Sequence, residues 1–298
     1  TFAREVFDYA ALSARAPYFL GEFLWTAMDY LGEAGLGATA PLKKGGFPYY
    51  LAGFPWVNAW CGDVDLIGKQ KASSLARDVA WGLSPLEMTV HRPLPADSIE
   101  FVANWGWPDE LASWTWTEFT GKPLSVRVYS TGDRVELRLN GAKVGEKILK
   151  PGERKAEIDV PYAPGTLEAV AFRGGQEIAR RKLVTTSAAV RLRATAERGS
   201  GRSDRQALHY VLVDTLDAQG RVLPDDKRKV RLTVTGPAEL VAFGSANPLA
   251  TGSLKAPETE SFRGRALAIL RSTGRAGQVR IAVSAEGLQA GSAILKLV

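Results

Sequence analysis

From Ile99 to the C-terminus the sequence alternates apolar and polar residues in short runs separated by turn residues, a pattern that admits little besides stacked antiparallel sheets. Successive side chains of a strand point to opposite faces, so each run can bury one face and leave the other in water. SVRVYS, VELRLN, AEIDV, LEAVAF and IARRKLV follow one another between Ser125 and Val184. Asn140-Gly141 separates VELRL from KVGEKIL, and both residues tolerate the positive φ of a two-residue hairpin turn. After the polar stretch TTSAA come VRLRAT, ALHYVLVDT, VRLTVTG, LVAFGS, GRALAILRS and QVRIAVSAE. Short strands so spaced predict a second β-sandwich, with ERGSGRSDRQ as an exposed loop.

Before Ile99 the text is different. FDYAALSARAPYFLGEF predicts a helix, a break at Pro17 and a short strand over Phe23, Leu24 and Trp25. GEFLWTAMDYLGEAGLG then places an aromatic plate, the carboxylates of Asp29 and Glu33 and the Tyr30 phenol at the mouth of that strand. A barrel enzyme builds a polar pocket at its C-terminal face in this way. PWVNAWCGDVDLIGKQKASSLARDVAW predicts a second polar loop leading into an amphipathic helix. HRPLPAD breaks any helix and forces an extended linker. The chain is therefore expected to divide into residues 1–95, 96–187 and 188–298.

Composition narrows the chemistry. At 45% apolar and 23% charged the chain is ordinary globular material. No apolar run approaches the ~20 residues of a membrane helix, so no membrane partner is expected. The single Cys61 excludes an internal disulfide, and with His91 and His209 it cannot make a zinc cluster. GDVDLIG offers too few oxygens for calcium, and Gly62 to Lys69 has one residue too many for a phosphate loop. No metal or cofactor is expected. Residues 191–298 carry 17 Lys/Arg against 10 Asp/Glu, a local excess of +7. No tryptophan lies there to stack bases, so the excess reads as a solvated basic face rather than a nucleic-acid surface. All eight tryptophans precede residue 117. Aromatic faces stack on the C–H faces of sugars while nearby carboxylates and amides take the hydroxyls, and the cluster suits a carbohydrate site.

Together, GEFLWTAMDYLGEAGLG and the Pro55–Trp81 stretch resemble the end of the catalytic barrel of glycoside hydrolase family 2 enzymes of the β-galactosidase kind. NWGWPDELASWTW, VRVYSTGDRVELRLNGAKVG and VPYAPGTLEAVAF are similar to the immunoglobulin-like domain that follows that barrel. YVLVDTLDAQGRVLPDD, LVAFGSANP and AEGLQAGSAILKLV are similar to the family's last sandwich, and the three regions stand in the family's order. The resemblance implies a multidomain, mainly β chain: a remnant of the last βα unit of a (β/α)8 barrel followed by two immunoglobulin-like β-sandwiches. It implies a retaining, exo-acting β-glycosidase with two glutamates on the fourth and seventh barrel strands. Thr1 falls in the helix before the eighth strand, so both glutamates are expected upstream. No catalytic residue is assigned here, and the expected partner is the preceding part of the same enzyme.

The implied substrate is a terminal β-galactoside. β-Glucuronidases and β-mannosidases share the family, but a sugar acid would want cations, for which only Lys43, Lys44, Lys69 and Lys71 stand nearby. A non-catalytic carbohydrate-binding or scaffold protein is the alternative, and it leaves the first hundred residues without a purpose. The resemblance makes Trp25 a wall of the sugar site. Asp29 is expected to hydrogen-bond in the pocket, with Glu33 behind it and Trp60 at the rim or packed on the barrel. Asp65, with Asp63, is expected to brace the loop below, and Glu22 to pack or form a barrel salt bridge rather than do chemistry. Trp105, Trp107, Trp114 and Trp116 are expected to glue barrel to sandwich, with an accessory sugar platform as the alternative.

Overall fold

The computed structural model describes residues 5–46 and 53–298, and the chain divides into two compact units at Thr185/Thr186. In chain order the first unit contains α1 (Val6–Arg15), β1 (Tyr30–Leu31), β2 (Thr39–Lys43), β3 (Asn58–Ala59), α2 (Ala72–Ala80), β4 (Leu86–His91), β5 (Ser98–Val102) and β6 (Glu110–Leu111). It continues with β7 (Pro123–Ser130), β8 (Arg134–Leu139), β9 (Ala142–Ile148), β10 (Lys155–Pro161), β11 (Thr166–Arg173) and β12 (Gln176–Val184). α1 stops at Arg15 because Ala16 precedes Pro17 and is driven to extended backbone, φ −116° and ψ 97°. Thr1, expected inside that helix, lies outside the described residues.

Two four-stranded antiparallel sheets, in orders β10-β7-β4-β6 and β12-β11-β8-β9, form the first sandwich. Met88, Val90, Val126 and Val128 meet Val135, Leu137, Leu167, Ala169 and Ala171 between them. The turn at Asn140 and Gly141, φ 51° and 86°, joins β8 to β9 with Leu139 opposite Ala142.

The boundary expected at residue 95/96 falls inside this unit, and the two sides of it interleave. β4, from before the prolines, lies between β7 and β6 in the sandwich; β5, from after them, pairs back with β2. β4 shows no alternation because both its faces are covered. Met88 and Val90 face the sandwich core. The outward face of the same sheet carries Tyr129, which packs against Ala76 and Val79 of α2 and against Phe7 and Trp107. The Phe7 and Trp107 rings lie 6.0 and 6.2 Å from that of Tyr129.

On this face Glu110, 3% exposed, accepts hydrogen bonds from Thr89 Oγ1 (2.5 Å) and Tyr129 Oη (2.8 Å) and pairs with Arg127. Burial first, then the neighbouring Glu110 carboxylate, pushes the Tyr129 phenol well above its usual range. Trp114 and Trp116, expected at an interface, are instead buried in the sandwich core. Trp114 donates to the Ala163 carbonyl at 2.9 Å and its ring lies 5.0 Å from that of Tyr162. They are not sugar platforms.

The strand expected over Phe23–Trp25 forms no ladder among the described residues. A strand exists only through its pairing, and Phe23 is almost fully exposed. Regular contact starts one residue later: Thr26 N donates to Cys61 O at 3.3 Å, and Met28 bridges Val64 in parallel.

The second unit, from Thr186, contains β13 (Ala189–Ala196), β14 (Ser200–Gly201), β15 (Leu208–Asp217), β16 (Lys229–Thr235), β17 (Ala238–Gly244), β18 (Glu258–Glu260), β19 (Arg265–Ser272), β20 (Gly277–Ser284) and β21 (Gly291–Leu297). Sheets β13-β15-β19-β17 and β14-β21-β20-β16-β18 enclose a core of Val211, Val213, Phe243, Leu270, Ile281 and Leu295, among others. Its basic cluster is matched by acids: Lys227 pairs with Glu260, Arg228 with Asp226, and Lys229 and Arg231 with Glu258.

Candidate functional site

The loops before α2 are organised around one buried carboxylate. Asp29 is 2% exposed; its Oδ1 accepts from Gly62 N at 2.7 Å and from Lys71 Nζ at 2.9 Å, and Oδ2 lies 3.2 Å from the same ammonium. Lys71 also donates to the Trp60 carbonyl at 2.7 Å and sits 4.0 Å over the centroid of the Trp60 ring. Burial raises the Asp29 pKa to about 6 against the opposing pull of Lys71. Gly62 is required by proximity: a Cβ there would lie 2.2 Å from Asp29 N and 2.6 Å from Val64 O.

A second polar cluster lies beside it. Arg77 of α2 holds Asp63 Oδ2 at 2.6 Å and pairs with Glu22, which also accepts from Trp81 Nε1 at 3.2 Å. Of the two structural roles expected for Glu22, packing or a salt bridge, it takes the salt bridge. Asp65 closes its own loop, accepting from Ile67 N at 3.0 Å and Lys69 N at 2.9 Å. Cys61 is buried, which raises its thiol pKa.

Trp25 is 52% exposed. Its peptide to Thr26 is cis. Trp25 Nε1 donates to Tyr30 Oη at 3.2 Å, and Tyr30 in turn donates to Glu33. Of the sequence candidates, Trp25 and Glu33 come together through Tyr30, while Asp29 and Trp60 come together through Lys71. Asp29 points inward with both oxygens engaged, so it acts as an anchor and presents no acceptor to a ligand. One face of the half-buried Trp60 lies under an ammonium. In the sequence Lys71 is only a possible partner for a sugar acid; 42 residues from Asp29, it carries no local signal of this role. No group of three metal-ligating side chains occurs among the described residues, and none of their helices is long and apolar enough to cross a membrane.

Residues 192–293 match the model of glycoside hydrolase family 2 C-terminal domain 5, and residues 121–179 match a domain of unknown function, DUF4982. A crystal structure of a glycosyl hydrolase family 2 member from Bacteroides cellulosilyticus superposes on the whole chain with a TM-score of 0.90 at 28% identity. The chain's last hundred residues carry a C-terminal domain of glycoside hydrolase family 2. The chain covers 38% of that structure's chain. The β-galactosidase BoGH2A of Bacteroides ovatus is 26% identical over 94% of this chain, and a putative β-glucuronidase of Formosa agariphila is 27% identical over 86%. The chain spans 28% and 22% of the lengths of those two relatives, and it corresponds to a C-terminal region of such family 2 proteins.

Proposed function

We propose that the chain is the C-terminal part of a retaining, exo-acting β-glycosidase that releases terminal β-galactosyl residues. In this reading the residues before β4 belong to the end of the catalytic barrel, and the two sandwiches follow it in the chain. Hydrolysis runs by double displacement between two carboxyl groups ~5–5.5 Å apart, both supplied by sequence outside these 298 residues. Glu22 is engaged with Arg77 and Glu33 with Tyr30, and the isolated chain is expected to be inactive.

The observation that carries the reading is the half-exposed Trp25, on the loop that Asp29 anchors, in a chain aligned over 94% of its length with a β-galactosidase. Trp25 offers the apolar plate for the sugar ring. Asp29, Trp60 and Asp65 serve it from behind, by holding Gly62, Lys71 and the 65–69 turn in place. A β-glucuronide is the second reading, favoured by the relative named as a putative β-glucuronidase. Against it, the most enclosed nearby cation, Lys71, is neutralised by Asp29 at 2.9 Å. The test is to compare kcat/KM of the full-length enzyme for p-nitrophenyl β-galactoside and β-glucuronide. A clear preference for the galactoside is expected. A preference for the glucuronide would replace the substrate, and binding without turnover of any β-glycoside would restore the scaffold reading.

A further inference from the structure

Three side chains on the loop from Trp25 to Glu33 are joined by hydrogen bonds that run in one direction. An indole N–H can only donate and a carboxylate can only accept, so the order from Trp25 Nε1 to Tyr30 Oη to Glu33 is fixed by chemistry. The phenol proton is committed to Glu33, and that bond, before burial, raises the Tyr30 pKa. The Tyr30 oxygen keeps its lone pair for the indole.

The backbone is shaped to make this chain possible. Tyr30 is fixed in β1 opposite Ala59 of β3. Immediately after β1 the chain doubles back through Gly32 (φ 95°) and Glu33 (φ 43°). The second is a left-handed conformation that a residue with a Cβ seldom adopts, and such outliers persist where the surroundings demand them. Here the turn returns the Glu33 carboxylate to the Tyr30 hydroxyl. Trp25 is too exposed for packing alone to set the plane of its ring. The bond at its indole edge supplies the missing constraint.

We propose that Tyr30 and Glu33 are positioning residues that hold the plane of the Trp25 indole on which the sugar ring stacks. The inference rests on the reading of Trp25 as a sugar wall. Neither residue touches the reacting atoms; both act through the tryptophan.

The experiment is a double-mutant cycle in the full-length enzyme, with p-nitrophenyl β-galactoside as probe and thermal midpoints recorded for every variant. Tyr30→Phe removes the acceptor for the indole and is expected to lower kcat/KM about three- to tenfold, mainly through KM, with little change in Tm. Glu33→Gln keeps an acceptor oxygen and should retain more activity than Glu33→Ala. In a Trp25→Ala background Tyr30→Phe should cost nothing further, because the group it positions is gone. An undiminished effect of Tyr30→Phe in that background would overturn the inference, as would a neutral Tyr30→Phe in an enzyme that Trp25→Ala impairs. A neutral Trp25→Ala would sink the sugar-wall reading and the inference with it.

Discussion

Lys71 Nζ lies 2.9 Å from Asp29 Oδ1 and 4.0 Å from the centroid of Trp60, so one ammonium ties the start of α2 to both polar loops. Lys71 is the residue preceding the first turn of α2, where the helix dipole disfavours a positive charge. Asp29 offsets that cost.

Removing the ammonium should therefore be more damaging than removing the pair. Lys71→Met leaves a buried carboxylate without its partner and is expected to destabilise the fold by about 3 kcal/mol. Asp29→Asn combined with Lys71→Met should recover part of the loss. Thermal or urea unfolding of the single and double variants checks the order.

The raised pKa of Asp29 carries a pH signature. Unfolded, the group titrates near 3.8, and folded, near 6, so the native state holds the proton more tightly. Its contribution to stability is complete below about pH 4 and is lost as pH rises through 6, amounting to about 3 kcal/mol over that window. Relative to Asp29→Asn, the wild-type protein should lose thermal stability steadily between pH 4 and 7. A constant difference in Tm across that range would contradict this.

Gly62→Ala should be severe although it adds one methyl group. The new Cβ meets main-chain atoms of Met28, Asp29 and Val64 at 2.2–2.6 Å, and backbone cannot swing aside as a side chain can. We expect a loss of about 3 kcal/mol or poor soluble yield, against near-neutral Gly252→Ala, where nothing lies within 4 Å of a Cβ and the backbone is not left-handed. Melting temperatures of the two variants give the comparison.

In the full-length enzyme Trp25→Ala should depress kcat/KM by about tenfold or more while leaving Tm nearly unchanged, because a half-exposed ring contributes little burial but much orientation. By contrast, Trp114→Ala, in the closed core, should cost about 3–5 kcal/mol of stability. Kinetics and melts of both variants separate the two roles.

Residues 186–298 should fold alone. Their sheets bury a core of their own, and their basic cluster is matched by acids. A single cooperative melt is expected, with only weak, salt-sensitive attraction to DNA or anionic polysaccharide. Submicromolar binding to a neutral glycan would assign this unit a binding role.

Where one face of a strand meets water, the sequence displays the structure openly. β16 and β20 follow the alternation of their residues, and the Asn140-Gly141 turn sits where its chemistry demands. β4 was illegible because LEMTV is buried on both sides and so has no period to read. Trp114 and Trp116 misled because a tryptophan beside a proline-rich loop looks the same whether it caps a core or spans an interface. Asp29 was legible as important, but its direction was not: whether a carboxylate faces solvent or an ammonium depends on Lys71, whose approach is decided only once α2 docks.

Glu110 sets a condition that hydrophobic patterning cannot. Sliding β7 by two residues along β4 would return every valine to its proper side of the sheet. It would also carry Arg127 and Tyr129 away from the carboxylate that joins them to Thr89, stranding a charge in a closed interior. Apolar alternation therefore selects the face, and this one acid selects the alignment, as a key admits only one setting of a lock whose pins are otherwise alike.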